Sequence, residues 1–164
     1  MKQYPICLSH IGITVPNLEK AIKFYEEVFG WYHLAGPYET VRDGGPASRF
    51  TDTIYAKDGH EWTRFRNAHM TTGDRIGIEL FEFEGGYAPE DGFEFKRQGL
   101  FHFAVTTPDM DGFLENLKAH GGEQYSERMR RTVDGREYSI VFVKDPFGNV
   151  FELYSHSYEV MNTL

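Results

Sequence analysis

The chain is poor in cysteine, in long apolar runs and in positive charge. Cys7 is the only cysteine among 164 residues, so no internal disulfide can form, and the usage is that of a cytoplasmic protein. No apolar run approaches the ~18 residues that a bilayer crossing needs. The opening Met1-Lys2-Gln3-Tyr4-Pro5 lacks the apolar region of a secretion signal. Lys and Arg number 17 against 25 Asp and Glu, a net charge of −8. That argues against a nucleic-acid partner, whose phosphates need a cationic face. What is present is enough for a globular core, at 40% hydrophobic and 16% aromatic residues.

The chain also contains itself twice. His10-Ile11-Gly12-Ile13-Thr14-Val15-Pro16-Asn17-Leu18 returns 92 positions later (102 minus 10) as His102-Phe103-Ala104-Val105-Thr106-Thr107-Pro108-Asp109-Met110. Both read His, three mostly apolar residues, Thr, any residue, Pro, Asn or Asp, then a large apolar residue. Ile22 and Leu114, Tyr25 and Leu117, Gly30 and Gly122 continue the match at the same offset. Two copies mean a duplicated module, because a solenoid needs at least three.

Each copy predicts a strand, a capped helix and further strands. Residues 6–15 alternate, with Ile11, Ile13 and Val15 on a core face and His10 on the other. Asn17 is the N-cap of a helix over 18–29, whose apolar residues fall at i, i+3, i+4 and i+7, and Gly30 ends it. A strand follows at 31–40. Residues 42–48 read as a turn or mobile loop. Strands are predicted at 50–57 and 61–69 around an Asp58-Gly59 hairpin turn, and at 75–83, with Glu79, Gly77 and Phe81 opposite the core face. In the second copy, strand 100–107 carries His102, and Asp109 caps a helix that Gly121-Gly122 stops. Strands follow at 124–132, 137–144 and 149–155. The expected fold is α+β: two tandem βαβββ modules, 1–84 with an insertion at 42–60 and 98–164, joined by 85–97, their sheets curled around a metal cleft.

Each module opens with a His and closes with a Glu, both off the core face: His10 with Glu79, and His102 with Glu152. If the modules pack about a pseudo-twofold axis, two imidazoles and two carboxylates converge. Such a set, with no thiolate, suits a divalent Zn, Ni, Co, Mn or Fe ion. Phe81, Phe83 and Tyr154 share the faces of these Glu residues and could wall an apolar pocket. Arg128, with Arg49, Arg64, Arg66, Arg130 and Arg131, could meet an anionic substrate. His33, His60, His69, His120 and His156 lie outside the repeated positions and are not expected to bind metal. Trp31 and Trp62 are expected in a core or an interface.

These residues resemble the vicinal-oxygen-chelate superfamily, which includes glyoxalase I, methylmalonyl-CoA epimerase, extradiol dioxygenases and bleomycin- or fosfomycin-resistance proteins. The resemblance rests on the run from His10 to Tyr25, on Gly30, on Ile78-Glu79-Leu80, on Gly99 through Val105 and on Asp145 through Leu153. It leaves only about 36–70 and 84–97 unmatched. It implies metal ligands at His10, Glu79, His102 and Glu152. Extradiol dioxygenases resemble a pattern without a ligand on the closing strand of the first module, so Glu79 favours the isomerase and lyase branches. Glyoxalase I is similar in its His, Glu, His, Glu set. Its glutathione-contacting Arg, however, falls at Thr14, and its Asn four residues after the first Glu falls at Phe83, which argues against a glutathione adduct. The run Phe95 to His102 looks more like the epimerase branch, where Gln usually replaces Glu79.

The resemblance implies a metal-dependent isomerase or lyase of the glyoxalase I or epimerase type. It would abstract a proton through a metal-chelated enediolate on a small oxygenated carbonyl substrate, with Glu79 and Glu152 as proton carriers. The alternatives are a non-catalytic antibiotic-binding protein of the bleomycin-resistance type and, behind it, an extradiol-type dioxygenase. No membrane is expected as partner. A homodimer is, and whether the modules pair within one chain or are exchanged between two stays open.

Overall fold

The structure is a computed structural model that describes residues 4–57, 61–85, 96 and 98–163. Two compact units divide the chain, Met1–Tyr87 and Ala88–Leu164.

The first unit runs β1 (His10–Thr14), α1 (Leu18–Phe29), β2 (Tyr32–Val41), α2 (Pro46–Tyr55), β3 (Arg64–Thr71) and β4 (Gly77–Phe83). Its sheet has the order β1-β4-β3-β2, with β1 parallel to β4 and the other neighbours antiparallel. Helix α1 starts where Asn17 accepts a hydrogen bond from the Lys20 amide at 2.9 Å, and stops at left-handed Gly30 (φ 65°). It buries Leu18, Ala21, Ile22, Phe24, Tyr25 and Val28. The matching sheet residues are Ile13, Ala68, Met70, Ile78 and Leu80, all buried. Removing each such side chain from water is worth about 1.5–3 kcal/mol. Trp31 stacks on Tyr25 at 5.0 Å between ring centroids, and Trp62 is also buried. Arg66 pairs with Glu19 and, at 3.7 Å, with Glu82; a Glu82 oxygen accepts from the Leu18 amide at 2.6 Å, tying the start of α1 to β4.

The second unit runs β5 (Phe103–Thr106), α3 (Met110–Ala119), β6 (Glu123–Gln124), β7 (Met129–Val133), β8 (Arg136–Lys144), β9 (Val150–Tyr154) and α4 (Tyr158–Asn162). Its order is β5-β9-β8-β6, with β7 also on β8 and β5 parallel to β9. Asp109 accepts from the Gly112 amide at 2.9 Å, as Asn17 does in the first unit. Leu117, Val141, Val143, Phe151 and Leu153 form its core. The architecture is therefore α+β, with the same strand-helix-strand plan in each unit and neither sheet closed into a barrel. No described helix is long and apolar enough to cross a membrane.

Two expected elements differ. Residues 50–57 are not a strand. Most of them belong to α2, which begins inside the stretch expected to be loop. Gly45 is its N-cap and Pro46 its first residue, because the missing Pro amide costs nothing in a first turn and its φ suits a helix. The buried side of α2 is Ser48 and Thr51, with Tyr55 partly covered, while Phe50 and Ile54 face outward. A helical period carried by small polar residues is invisible to hydrophobic patterning. The Asp58-Gly59 turn lies outside the described residues. The expected strand 124–132 is two strands, because Tyr125 and Ser126 both donate amides to the Phe142 carbonyl while Ser126 Oγ accepts from the Phe142 amide. This bulge interrupts the ladder between β6 and β7. Helix α4 was not expected.

Candidate functional site

Sheet register decides which side chains share the face opposite each core. In the first unit His10 pairs with Gly77, Gly12 with Glu79 and Thr14 with Phe81, while β3 sets His69 opposite Glu79, Asn67 opposite Phe81 and Phe65 opposite Phe83. With side chains alternating along each strand, His10, Glu79, Phe81, Phe83, His69, Asn67 and Phe65 lie on one face. His10 Nε2 stands 3.7 Å from Glu79 Oε2. His69 Nδ1 stands 3.6 Å from the other oxygen, Oε1. The aromatic end of the face is covered by Tyr55 of α2, whose ring meets Phe83 at 5.3 Å and Phe65 at 5.8 Å. Burial raises the Tyr55 hydroxyl pKa above its ordinary value, and the Glu79 charge adds to the rise.

Gly77 makes room for His10. A Cβ on Gly77 would meet His10 Cβ at 2.9 Å and the Ser9 carbonyl at 3.3 Å. Gly36 does similar service on β2. Its φ is 93°, and a Cβ there would lie 2.7 Å from the Asn67 carbonyl. It sits within the two register shifts that carry β2 past Asn67 and His69.

The second unit repeats the arrangement. Ala104 pairs with Glu152 and Thr106 with Tyr154 across β5 and β9, and Phe142 of β8 stands opposite Glu152. His102 Nε2 is 3.4 Å from Glu152 Oε2. The imidazole meets the Phe142 ring edge-on at 5.3 Å, and its Nδ1 is buried without a hydrogen-bond partner among the described residues. Tyr154 is buried beside Tyr158. Burial first, then the Glu152 charge and a hydrogen bond to Glu152, raise its hydroxyl pKa.

The structure thus brings each His to the Glu of its own unit, and sets Phe81, Phe83 and Tyr154 on the faces that carry those Glu residues. Arg128 is only 12% exposed, with its guanidinium on Asp111 and Glu137. Arg64 pairs with Glu39 and Glu84, Arg130 with Glu137, and Arg49 donates to the Gly44 carbonyl at 2.5 Å. His69 was missed by the sequence reading, although the Thr72-Gly73-Asp74 turn centres the β3–β4 hairpin on residue 74 and counting outward pairs 69 with 79.

The donor set fits a divalent ion. Ligands held at ~2.0–2.2 Å from one ion stand roughly 3.0–3.5 Å apart at right-angled to tetrahedral geometry. The observed His–Glu separations of 3.4 and 3.7 Å are close to that spacing. Among the described residues no group of three or more His, Cys, Asp and Glu could hold a metal by itself. His10 and His69 address different oxygens of Glu79 and do not converge on one point. Each unit supplies a pair of ligand-type groups.

Comparison with known proteins places the chain in a family. The Glyoxalase/Bleomycin resistance protein/Dioxygenase superfamily model matches residues 8–153, and the chain belongs to that superfamily. It is 28% identical over 144 residues to a lactoylglutathione lyase of Arabidopsis thaliana, a match covering 88% of this chain and 42% of the relative. The chain thus spans about two fifths of that relative's length. It is 29% identical over 154 residues to a 2-epi-5-epi-valiolone epimerase of Actinomyces sp, covering 90% of this chain and 78% of the relative. A glyoxalase family protein of Bacillus cereus shares the fold with a TM-score of 0.71 at 22% identity, over 93% of this chain and 95% of that one.

Proposed function

We propose that the chain is a metal-dependent isomerase or lyase of the epimerase or glyoxalase I type, with His10, Glu79, His102 and Glu152 as metal ligands. One observation carries this reading: both units set the Nε2 of their opening His within 3.7 Å of the carboxylate on their closing strand. A lone structural His or a solvated Glu would not recur at matching register in both. The donor set is imidazole and carboxylate, which suits Zn, Ni, Co, Mn or Fe. The lyase and epimerase names of the relatives support the reaction class.

A divalent ion held by these four residues would supply Lewis-acid polarisation of two oxygens on adjacent carbons of a small carbonyl substrate, acidifying the C–H beside the carbonyl. Glu79 and Glu152 take and return that proton, since carboxylates beside the reacting carbon are suited to general acid–base transfer. Phe81 lends the face an apolar wall and excludes water. Tyr154, two residues along the same strand face, lies beside Glu152 and closes that side of the site. A homodimer is part of the proposal: β2 is an edge strand that exposes Tyr32, Leu34, Tyr38 and Val41.

Elemental analysis of the purified protein, with His10→Ala and Glu152→Ala beside it, tests the ligand set. About one transition-metal ion per chain, lost in both variants, is expected for a four-ligand site. No metal even after reconstitution would overturn the reading in favour of a ligand-sequestering protein. Solvent-deuterium exchange into α-hydroxyketones and acyl-CoA thioesters then tests the chemistry. A Glu152→Gln variant that bound metal and kept full turnover would remove Glu152 from its role.

A further inference from the structure

The two units build their His–Glu pairs on the same register but differ at one neighbouring position. Across the antiparallel ladder from Glu79 stands His69; across the matching ladder from Glu152 stands Phe142. The first carboxylate therefore has a polar neighbour on each side, His10 at Oε2 and His69 at Oε1. The second has an aromatic ring where the first has His69.

His69 is held by Asn67. The Asn67 Nδ2 is 3.1 Å from His69 Nε2. With the amide nitrogen donating to Nε2, the ring N–H left over is Nδ1. Nδ1 is the atom that faces Glu79 Oε1. Asn67 itself lies under the bulge where β2 passes with Gly36 close to its carbonyl. The imidazole thus has Asn67 at one nitrogen and one oxygen of Glu79 at 3.6 Å from the other.

We propose that His69, its tautomer set by Asn67, is a positioning residue for Glu79: it draws Oε1 aside and leaves Oε2 as the single oxygen presented beside His10. The proposal rests on the reading of Glu79 as a metal ligand. It implies that Glu79 binds through one oxygen and that its orientation is fixed before the ion arrives, as outer groups commonly do for ligating side chains. Glu152 has no such imidazole beside it, since Phe142 stands at the matching position.

Zinc affinity by chelator competition and the visible spectrum of the cobalt-loaded protein test it, using wild type, His69→Phe, His69→Gln and Asn67→Ala. His69→Phe copies the second unit and removes the donor while keeping a ring. It is expected to weaken zinc binding about 10–100-fold and to alter the cobalt spectrum. His69→Gln restores an N–H donor and recovers most of the affinity. Asn67→Ala frees the tautomer and gives an intermediate loss. Wild-type affinity and an unchanged spectrum in His69→Phe overturn the proposal while the metal reading stands. If His69→Phe does not fold, Asn67→Ala decides on the same criterion. A wild-type protein that binds none of zinc, cobalt, nickel, manganese or iron overturns both.

Discussion

The first pair, His10 and Glu79, is open, with side chains 53% and 29% exposed; the second, His102 and Glu152, is enclosed, at 24% and 16%. Backbone topology does not cause the difference. Both pairs sit at the start of a parallel opening strand beside a closing strand, with the partner hairpin beyond. The difference lies in three side-chain choices. Gly77 is paired with His10 across β1 and β4, whereas His102 precedes β5, whose ladder to β9 begins at Phe103 and Phe151. His69 faces Glu79 and Phe142 faces Glu152. Tyr55 shares the first face from a separate helix, while Tyr154 comes from the closing strand itself. A duplicated backbone fixes where a carboxylate stands; its neighbours decide how much water and what partners it keeps.

Substitution can break that comparison. Gly77→Ala should have the largest effect, because its new Cβ meets His10 Cβ and a carbonyl, neither of which is a flexible side-chain end. A cost of roughly 1–3 kcal/mol is expected for such overpacking, with weaker metal binding, read by denaturant unfolding and zinc titration. Val150→Ala should leave the His102 side without a clash. A Gly77→Ala protein as stable as wild type would mean that β1 and β4 can slide apart at no cost.

The helix caps should show the two units behaving alike. Asn17→Ala and Asp109→Ala each remove one hydrogen bond to an amide in the first turn, at 2.9 Å in both cases. Each should cost about 1 kcal/mol in thermal unfolding. Clearly unequal losses would show that one helix draws on other supports.

The smallest effect is one of pH. The hydrogen bond from Arg66 holds Glu19 below the usual carboxylate pKa, and that from Arg64, with Thr63, does the same for Glu84. A carboxylate depressed in the folded state adds stability that is complete above its unfolded value, about 4.3, and fades as pH falls through the folded one. Stability should thus fall on acidification below about pH 4.3, slightly because both pairs are exposed. Arg66→Ala should flatten that fall in a pH series of melting curves, and an unchanged slope would dismiss the Glu19 contribution.

Much of this was legible without coordinates. The α1 boundaries, its Asn17 and Gly30 ends, the Asp109 cap and the four His and Glu positions all follow from local signals: an apolar period, a capping oxygen, a left-handed glycine and a repeat. Helix α2 was not legible, because its buried face is Ser48 and Thr51 and its exposed side carries Phe50 and Ile54. A pattern read from hydrophobicity inverts there. The strand at 124–132 failed for a different reason: its break is a bulge around the backbone of Phe142, on another strand.

By itself the sequence determined that a module is duplicated and that each copy opens on a His and closes on a Glu off the core face, since alternation along a strand is a local property of the backbone. Only the tertiary structure decided that His69 stands beside Glu79 where Phe142 stands beside Glu152, that Asn67 lies 3.1 Å from the His69 ring, and that Arg128 is drawn into ion pairs within its own unit. Those facts depend on hairpin register and on contacts between strands distant in sequence, which no local pattern encodes.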